Sequence, residues 1–280
     1  MTQVTQQHID LYNQVGTTHI ANAFPPDKVR KLTELLDDII QRLRTGTFPN
    51  HAQQHPVFRD TEFEDHDGYV RLVNVMHRVP EIQRLVLSTG IAALVAQVIG
   101  ARSLRVWLDA TFSKVGQAPE TATPWHNDEC TFSFQGEHLP SLWIALTNVD
   151  EDNSPLITLA GSHRDTHRYY STFSPQGLPL PDNFRPWSEL LARVNAPDAD
   201  IRVWTAKAGD VLIIHPKTIH GSLPRHSGSD GRRLAFTIRW VGDDVVWQPT
   251  PITMLAPFDT HPAMVRDEPP PESLFPIVWP

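Results

Sequence analysis

The run "SLRVWLDATFSKV" at residues 103–115 marks a change of pattern in the chain. It is rich in β-branched and aromatic residues, which favour strands. Five similar short runs follow, most of them bounded by Gly, Asp, Asn or Pro: "WHNDECTFSF" (125–134), "SLWIALTNVD" (141–150), "SPLITLAG" (154–161), "DVLIIHP" (210–216) and "RLAFTIRWVG" (233–242). Short strands with turn residues at their ends predict an antiparallel sandwich or barrel over this part of the chain.

The residues before this region are predicted to be mostly helical. "PPDKVRKLTELLDDIIQRL" (25–43) has apolar residues at helical spacing, and "PEIQRLVLSTGIAALVAQVIG" (80–100) reads as two helices, the second ending at Gly100. The polar stretch 45–68 reads as irregular. Helices followed by strands predict a mainly β fold of the sandwich or jelly-roll type, with N-terminal helices on one face.

One domain is predicted over residues 1–280. Residues 1–100 form the mostly helical support, 102–247 the core with an insertion at 165–200, and 248–280 a C-terminal extension. The 280 residues are 40% hydrophobic, enough for a sizeable core.

Charge and composition lead us to expect no nucleic-acid partner, no membrane helix and no internal disulfide. The net charge is −8 and no block of Lys or Arg occurs, which argues against a nucleic-acid partner. No apolar run approaches the roughly 18 residues of a membrane helix. The single cysteine, Cys130, rules out an internal disulfide and fits a cytoplasmic location, and we expect it to be a small buried residue.

His126 and Asp128 in "WHND" are the first candidate metal ligands. In a strand, residues two apart point to the same face, so an imidazole and a carboxylate could approach one point. A further histidine would complete a 2-His-1-carboxylate set, which leaves open positions and suits non-heme Fe(II). The alternative is a surface strand with polar residues on its outer side.

Other histidines are candidates for the third position. His220 in "HPKTIHGS" lies at a predicted strand end, as a ligand near a cofactor would. His215 is more consistent with a buried supporting residue. His163 and Asp165 in "GSHRD" repeat the two-residue spacing, but they follow a strand and precede loop-like sequence, which favours a loop-fixing role.

A strand near residue 233 offers a candidate anion-binding residue. In "GRRLAFTIRW", alternation places Arg233, Ala235, Thr237 and Arg239 on one face and Arg232 on the other. An arginine beside small residues could bind a carboxylate bidentately. The alternative is that Arg232 and Arg233 form an exposed turn pair.

Together, these motifs resemble the phytanoyl-CoA dioxygenase family of Fe(II)- and 2-oxoglutarate-dependent oxygenases. The resemblance rests on "WHND" (125–128), "NSPLITLAGSH" (153–163), "AGDVLIIHPKTIHGS" (208–222) and "RRLAFTIRW" (232–240). "QVGTTHIANAFPPDKVRKL" (14–32) also resembles the family's opening strand and helix. The family pattern has glycine where this chain has Ser154 and proline where it has Ala160.

The resemblance implies a double-stranded β-helix core, with His126, Asp128 and His220 holding iron. It implies that Arg233, helped by Ser222, pairs with the distal carboxylate of 2-oxoglutarate. Lys114 stands where family members often place a lysine near the cosubstrate.

The implied cofactors are Fe(II), 2-oxoglutarate and O₂, and the implied reaction decarboxylates 2-oxoglutarate to succinate while oxidising a small organic metabolite or natural-product intermediate. Because related halogenases replace the carboxylate ligand by a small residue, an intact Asp128 favours hydroxylation, desaturation or another oxidation over halogenation. Two alternatives remain: a catalytically silent sensor domain that binds metal and 2-oxoglutarate, and a zinc-dependent hydrolase. Candidate pocket residues are Trp107, Phe112, Trp125, Phe132, Phe134 and Trp143, with Arg71 or Asn74 as polar residues over the site.

Overall fold

The computed structural model describes the chain except for residues 1, 49–61, 67, 116–121, 171, 173–176, 178, 181, 227–230 and 251–256. The helices are α1 (Gln6–Val15), α2 (Pro26–Arg44), α3 (Val75–Arg78), α4 (Pro80–Leu87), α5 (Ile91–Ile99) and α6 (Trp187–Val194). The strands of the N-terminal half are β1 (Thr17–Ile20), β2 (Phe63–His66), β3 (Tyr69–Val73), β4 (Leu104–Lys114), β5 (Thr123–His126), β6 (Phe134–Gln135) and β7 (Ser141–Ala145). The later strands are β8 (Leu156–Leu159), β9 (Arg168–Tyr169), β10 (Phe184–Arg185), β11 (Ile201–Trp204), β12 (Val211–Ile214), β13 (His220–Ser222), β14 (Arg233–Gly242), β15 (Val246–Trp247) and β16 (Ile277–Trp279).

Two antiparallel sheets form the body of the protein. The major sheet has the order β1-β12-β7-β14-β4-β3-β2, with β16 also paired to β4. The minor sheet has the order β11-β8-β13-β5. Strands that are distant in sequence alternate between the two sheets, which confirms the predicted jelly-roll core.

The predicted helices are present, and their ends follow local sequence signals. Helix α2 begins at Pro26, with Asp27 in its first turn, and buries one apolar stripe. Helix α5 ends before Gly100, whose φ of 77° is the left-handed conformation that glycine adopts at little cost. The insertion contains one helix in its described residues, α6, formed by "WSELLARV".

Three strands in the first hundred residues join the major sheet beside the helices. Strand β1 pairs with β12, and β3 pairs with both β2 and β4. Strand β2 falls in the stretch 45–68 that sequence alone had given as irregular, so that expectation was wrong for residues 63–66. Residues 49–61 and 67 of the same stretch lie outside the described part of the chain.

The two faces of the major sheet contact different layers. Helices α2, α4 and α5 cover the outer face, where Leu234, Phe236, Ile238 and Trp240 of β14 are fully buried in the largest apolar cluster. The inner face lies against the minor sheet, and a second apolar cluster there includes Trp143, Ala145, Leu156 and Ala235. Alternation along β14 therefore places Arg233, Thr237 and Arg239 between the sheets, as the sequence predicted.

No single helix in the described residues is long and apolar enough to cross a membrane. Helices α4 and α5 meet that test of length and composition only when taken together, and they are bent by 58° relative to each other. Their apolar residues Ile82, Val86, Ile91 and Val95 are buried against the major sheet.

Candidate active site

Two histidines and one aspartate meet at the end of the minor sheet. His126 is the last residue of β5, and His220, the first residue of β13, is its direct partner in the ladder. Their ring centroids are 4.3 Å apart. One ligand atom each from His126, Asp128 and His220 lie within 4.8 Å of one another, and all three residues are buried.

The reason for the His126–Asp128 pairing differs from the one that the sequence suggested. Both residues were expected in one strand, but β5 ends at His126 and Asp128 begins a short 3₁₀ helix (Asp128–Thr131). Asn127 between them keeps an extended backbone, with φ −118° and ψ 141°. One extended residue is enough to point the side chains of the residues before and after it in the same direction.

Backbone carbonyl groups fix the orientation of both imidazole rings. His126 Nδ1 lies 2.8 Å from the carbonyl oxygen of Pro124, and His220 Nδ1 lies 2.9 Å from that of Thr218. A carbonyl only accepts, so each Nδ1 carries the proton and donates it. Each Nε2 then presents its lone pair to the common centre, as metal-binding histidines usually do.

Asp128 is held with one oxygen facing the centre. Its Oδ1 lies 3.6 Å from His126 Nε2 and 3.9 Å from His220 Nε2. Its Oδ2 accepts a short hydrogen bond from the Ser141 hydroxyl group on β7. Ser141 therefore orients the carboxylate for binding through one oxygen.

The electrostatics keep these ligands deprotonated. Burial alone would raise the pKa of Asp128, but the positive charge of Arg239 outweighs it and holds that pKa far below its usual range. Burial, with the neighbouring His126, lowers the pKa of His220 to about 4. A metal ion thus competes with few protons at neutral pH at these two ligands.

A glycine brings the two ligand-bearing strands together. A Cβ at Gly221 would lie 2.7 Å from the carbonyl oxygen of Thr123 and 3.3 Å from that of Pro124. Any side chain at this position would press β13 away from β5, and with it His220 from His126. The "HGS" run therefore includes a residue whose small size sets the geometry of the site.

A positively charged pocket lies beyond His220 on the same inner surface. Arg233 is 2% exposed and is the direct cross-strand partner of Lys114, which is 1% exposed. Among the described residues neither side chain makes an ion pair with a carboxylate, and Arg233 Nε has no hydrogen-bond partner. The Arg233 guanidinium lies 5.1 Å from the ring centroid of Trp143.

Hydroxyl groups surround the lysine. Lys114 Nζ donates to the Oγ atoms of Ser222 at 2.8 Å and Ser154 at 3.1 Å, and it lies 3.3 Å from the hydroxyl of Thr123. Burial, together with the charges of Arg233 and Arg225, lowers the pKa of Lys114 well below its usual value. Burial also lowers the pKa of Arg233 to about 10. Adjacent buried cations are costly unless an anion joins them, so this pocket fits a carboxylate ligand.

Ser154 explains one departure from the family pattern. Its φ is 71°, in the left-handed region where glycine is favoured. The serine is fully buried and keeps this conformation while its hydroxyl contacts Lys114. The replacement therefore changes the chemistry of the pocket and preserves the turn.

The remaining candidates lie outside the site, as the sequence suggested. Arg232 pairs with Asp37 and donates to Ser113 Oγ on the outer side of the sheet. His215 is buried and lies 3.0 Å from Glu137, while His163 contacts the carbonyl oxygen of Asn13. Asp165 pairs with Arg193, and Cys130 is 1% exposed, with its thiol donating to the carbonyl oxygen of Asn127.

The candidate pocket aromatics divide between core and site. Trp107, Phe132 and Phe134 pack in one apolar cluster, and Trp125 packs against another. Phe112 and Leu108 on the inner face of β4 are half-buried, although their neighbours along the strand are buried. Arg71 pairs with Glu62 and Glu64 through Nη1. Asn74 is buried beside β4, and its side-chain oxygen has no hydrogen-bond partner among the described residues.

The insertion is joined to the loop that carries Asp128. Arg168 Nη2 donates to Glu129 Oε1 at 2.8 Å, and the Glu129 side chain is 1% exposed. Trp187 of α6 donates its indole N–H to the carbonyl oxygen of Trp125 at 3.1 Å. Glu129 thus ties the insertion to the metal-site loop.

Sequence reasoning missed Ser141 and Arg239 as neighbours of the triad. Arg239 Nη2 lies 3.3 Å from Asp128 Oδ1. The signal for Arg239 was present, because alternation puts it on the same face as Arg233. Nothing local to Ser141 indicates its partner, which comes from the packing of β7 against the metal-site loop.

Comparison with known proteins agrees with this geometry. The model of the phytanoyl-CoA dioxygenase family matches residues 12–234, so the chain belongs to that family of non-heme Fe(II)- and 2-oxoglutarate-dependent oxygenases. A protein of Stutzerimonas stutzeri, described as a probable alpha-ketoglutarate-dependent hypophosphite dioxygenase, is 26% identical over 77% of this chain and 72% of its own length.

Solved structures share the fold. The alpha-ketoglutarate-dependent carbocyclase SnoK from nogalamycin biosynthesis has a TM-score of 0.72 at 18% identity, covering 98% of this chain and 96% of its own. The epimerase SnoN in complex with Fe³⁺, alpha-ketoglutarate and nogalamycin RO has a TM-score of 0.66 at 16% identity, covering 98% of both chains. HygX from Streptomyces hygroscopicus with nickel and 2-oxoglutarate has a TM-score of 0.59 at 14% identity, covering 86% of this chain and 88% of its own.

Proposed function

We propose that this chain binds Fe(II) through His126, Asp128 and His220 and uses 2-oxoglutarate and O₂ to hydroxylate a small organic molecule. One observation carries the proposal: two imidazole Nε2 atoms and one carboxylate oxygen converge on a buried point at one end of the sandwich. Two neutral imidazoles and one carboxylate on one side of a metal form the donor set of non-heme Fe(II) oxygenases.

The buried cations supply the second part of the proposal. Arg233 would bind the distal carboxylate of 2-oxoglutarate, and Lys114 and Ser222 would contribute further donors. Ser222 lies two residues after His220 on β13, so one short strand connects the metal ligand to the carboxylate pocket. The keto-acid end of a molecule held by Arg233 could then extend toward the triad.

Bound Fe(II) would supply the oxidative chemistry that decarboxylates 2-oxoglutarate to succinate and oxidises the substrate. The protein's own residues bind, orient and shield the reactants. The Pro124 and Thr218 carbonyl groups hold the two imidazole rings, and Ser141 holds the carboxylate. The apolar cluster between the sheets excludes water from the inner side of the site.

Asp128 at the third protein position argues against halogenation, and among the remaining oxidations hydroxylation is the proposed outcome. This carboxylate leaves no vacancy of the kind that a halide occupies in halogenases. Structural neighbours of the same fold include a carbocyclase and an epimerase, so the product has to be measured directly.

Anaerobic spectroscopy tests the binding step. We expect Fe(II) plus 2-oxoglutarate to give the wild-type protein a visible charge-transfer band, which His126→Ala and Asp128→Ala each abolish. His215→Ala is the matched control, because His215 is also buried but pairs with Glu137. Absence of the charge-transfer band in the wild-type protein would refute the iron assignment and favour the zinc hydrolase.

Turnover tests the enzymatic step and separates the remaining alternative. Succinate release should rise above its uncoupled level when the correct member of a metabolite panel is present, and mass spectrometry should show the substrate with one added oxygen atom. A protein that shows the band but never releases succinate with any candidate would be a sensor domain. A product lacking the added oxygen would exclude hydroxylation and retain the oxygenase.

A further inference from the structure

A second arginine borders the metal site from the side opposite to Arg233. Arg239 lies on the same inner face of β14, about 20 Å along the strand from Arg233 at roughly 3.3 Å per residue. In the ladder it stands beside Ser141 of β7 and Leu108 of β4. The proposed cosubstrate pocket around Arg233 is therefore at one end of the inner face and Arg239 is at the other.

Most hydrogen-bond donors of Arg239 are unused. Its Nη2 lies 3.3 Å from Asp128 Oδ1, a long contact. Its Nε and Nη1 are buried and have no hydrogen-bond partner among the described residues. The side chain is 14% exposed, and its guanidinium lies 5.8 Å from the ring centroid of Phe132. A guanidinium stays charged in proteins, so these donors need an acceptor.

The contact with Asp128 does not satisfy that need once a metal binds. Asp128 Oδ1 is the oxygen that faces both histidines, and Oδ2 is already engaged by Ser141. A metal ion bound to Oδ1 would draw its negative charge away from Arg239 and repel the guanidinium. Arg239 would then be a buried cation without a partner in the described part of the chain, a state that is costly.

The cosubstrate does not supply the missing anion in the proposed arrangement. The distal carboxylate of 2-oxoglutarate would be matched by Arg233 and Lys114, and its keto-acid end by the metal. Around Arg239 lie Phe132, Trp107, whose ring is edge-on to Phe132 at 4.5 Å, and the half-buried Leu108. The surroundings thus combine apolar surface with a cation whose Nε and Nη1 donors have no partner among the described residues.

We propose that Arg239 binds an oxyanion group of the substrate (a carboxylate, phosphonate or sulfonate) beside the metal, while Phe132 and Leu108 contact its apolar part. This inference rests on the proposed function, since it names the substrate class of the same site. A planar guanidinium with free N–H donors is suited to such groups.

The test uses small anions as probes of the protein loaded anaerobically with Fe(II) and 2-oxoglutarate. Propionate, methylphosphonate and methanesulfonate are titrated at constant ionic strength, with propionamide as the neutral match. We expect at least one oxyanion to perturb the charge-transfer band saturably and propionamide to leave it unchanged. Arg239→Met should raise the Kd of that oxyanion at least about tenfold, the effect of losing one charged hydrogen bond.

Arg232→Met is the matched control. Arg232 is also an arginine, immediately before β14, but it pairs with the partly exposed Asp37 on the outer side of the sheet. We expect it to change the oxyanion Kd by less than about twofold, because no donor that faces the metal is lost. Arg239→Lys keeps the charge but lacks the planar guanidinium, so it should weaken oxyanion binding less than Arg239→Met does. It serves as the test variant if Arg239→Met does not fold.

Three results would overturn the proposal. Equal oxyanion affinity in wild type and Arg239 variants would show that Arg239 does not contact the anion. Weakened 2-oxoglutarate binding in Arg239→Met would assign this side chain to the cosubstrate. A wild-type charge-transfer band that no oxyanion perturbs would refute the oxyanion as substrate class and leave the iron assignment intact. Absence of the band itself would instead refute the proposed function.

Discussion

Replacing Arg233 by methionine should separate cosubstrate binding from folding. Arg233 and Lys114 are neighbouring buried cations, and no carboxylate pairs with either among the described residues. In the ligand-free protein their charges repel each other. Met keeps most of the length and apolar contact of the arginine side chain, including its packing against Trp143, and removes the charge.

The magnitude follows from the hydrogen bonds that the guanidinium would make. A hydrogen bond to a charged group contributes about 1.5–3 kcal/mol, so losing a bidentate pair costs roughly 3–6 kcal/mol. Lys114, Ser154 and Ser222 still offer donors, which places the expected loss near the lower limit. We therefore expect 2-oxoglutarate affinity to fall by about 100-fold or more.

The free energy of unfolding of the ligand-free protein should move the other way. Replacing a buried, unpaired charge by an apolar side chain of similar shape is often neutral or stabilising. We expect the ligand-free Tm of Arg233→Met to equal or exceed that of the wild type. A ligand present at 100 times its Kd stabilises by about 2.7 kcal/mol, so the rise in Tm on adding 2-oxoglutarate should largely disappear in the variant.

The assay is a thermal unfolding series in 2-oxoglutarate with an anaerobic metal-loaded sample, and Arg232→Met is the control. Arg232 makes a partly exposed pair with Asp37 on the outer side of the sheet. Such pairs contribute about 0–1 kcal/mol to stability, and 2-oxoglutarate affinity should stay within about twofold of wild type. Equal losses in both variants, or unchanged affinity in Arg233→Met, would refute the assignment of this strand face.

Three further predictions concern single positions. Burial raises the pKa of Asp109 to about 7, whereas its ordinary value in an unfolded chain is 3.8. Between these two pH values the folded protein keeps a proton that the unfolded chain has released. The free energy of unfolding should therefore fall by up to about 1.4 kcal/mol per pH unit as pH rises through this window. Urea unfolding of Asp109→Asn should show a flatter dependence over that window, and an unchanged slope would exclude this carboxyl as its source. Gly221→Ala should abolish the charge-transfer band while the protein stays folded, because the new Cβ would lie 2.7 Å from the Thr123 carbonyl oxygen; a normal band would show that the strands tolerate the shift. Ser154→Ala should lower the free energy of unfolding by about 1 kcal/mol relative to Ser154→Gly, since only glycine adopts the φ of 71° without strain, and calorimetry giving the reverse order would contradict this.

Local features of the fold and of the site could be predicted because they depend on backbone geometry near one residue. The Pro26 start of α2 and the Gly100 end of α5 are such features. So is the alternation that separates Arg233 from Arg232 on β14, which needs only the two-residue period of a strand. The close spacing of His126 and Asp128 also held, although one extended residue and a 3₁₀ turn produce it.

Contacts between distant segments could not be predicted from spacing. The pairing of β5 with β13 places His220 opposite His126, and it depends on the register of the whole minor sheet. Ser141 reaches Asp128 only because β7 packs beneath the loop that carries it. Such distances follow from the packing of both sheets, which no local pattern encodes.

The sequence by itself determined which side chains are candidates for the chemistry and which face of its own strand each occupies, because alternation and chain-end signals act over a few residues. The tertiary structure decided which of those side chains meet. It placed Ser154 and Ser222 around Lys114, and it left Arg239 with free donors beside Asp128. Strand order and register are set by burial of apolar faces across the whole chain, and the environment of each buried charge is fixed only when those faces have packed.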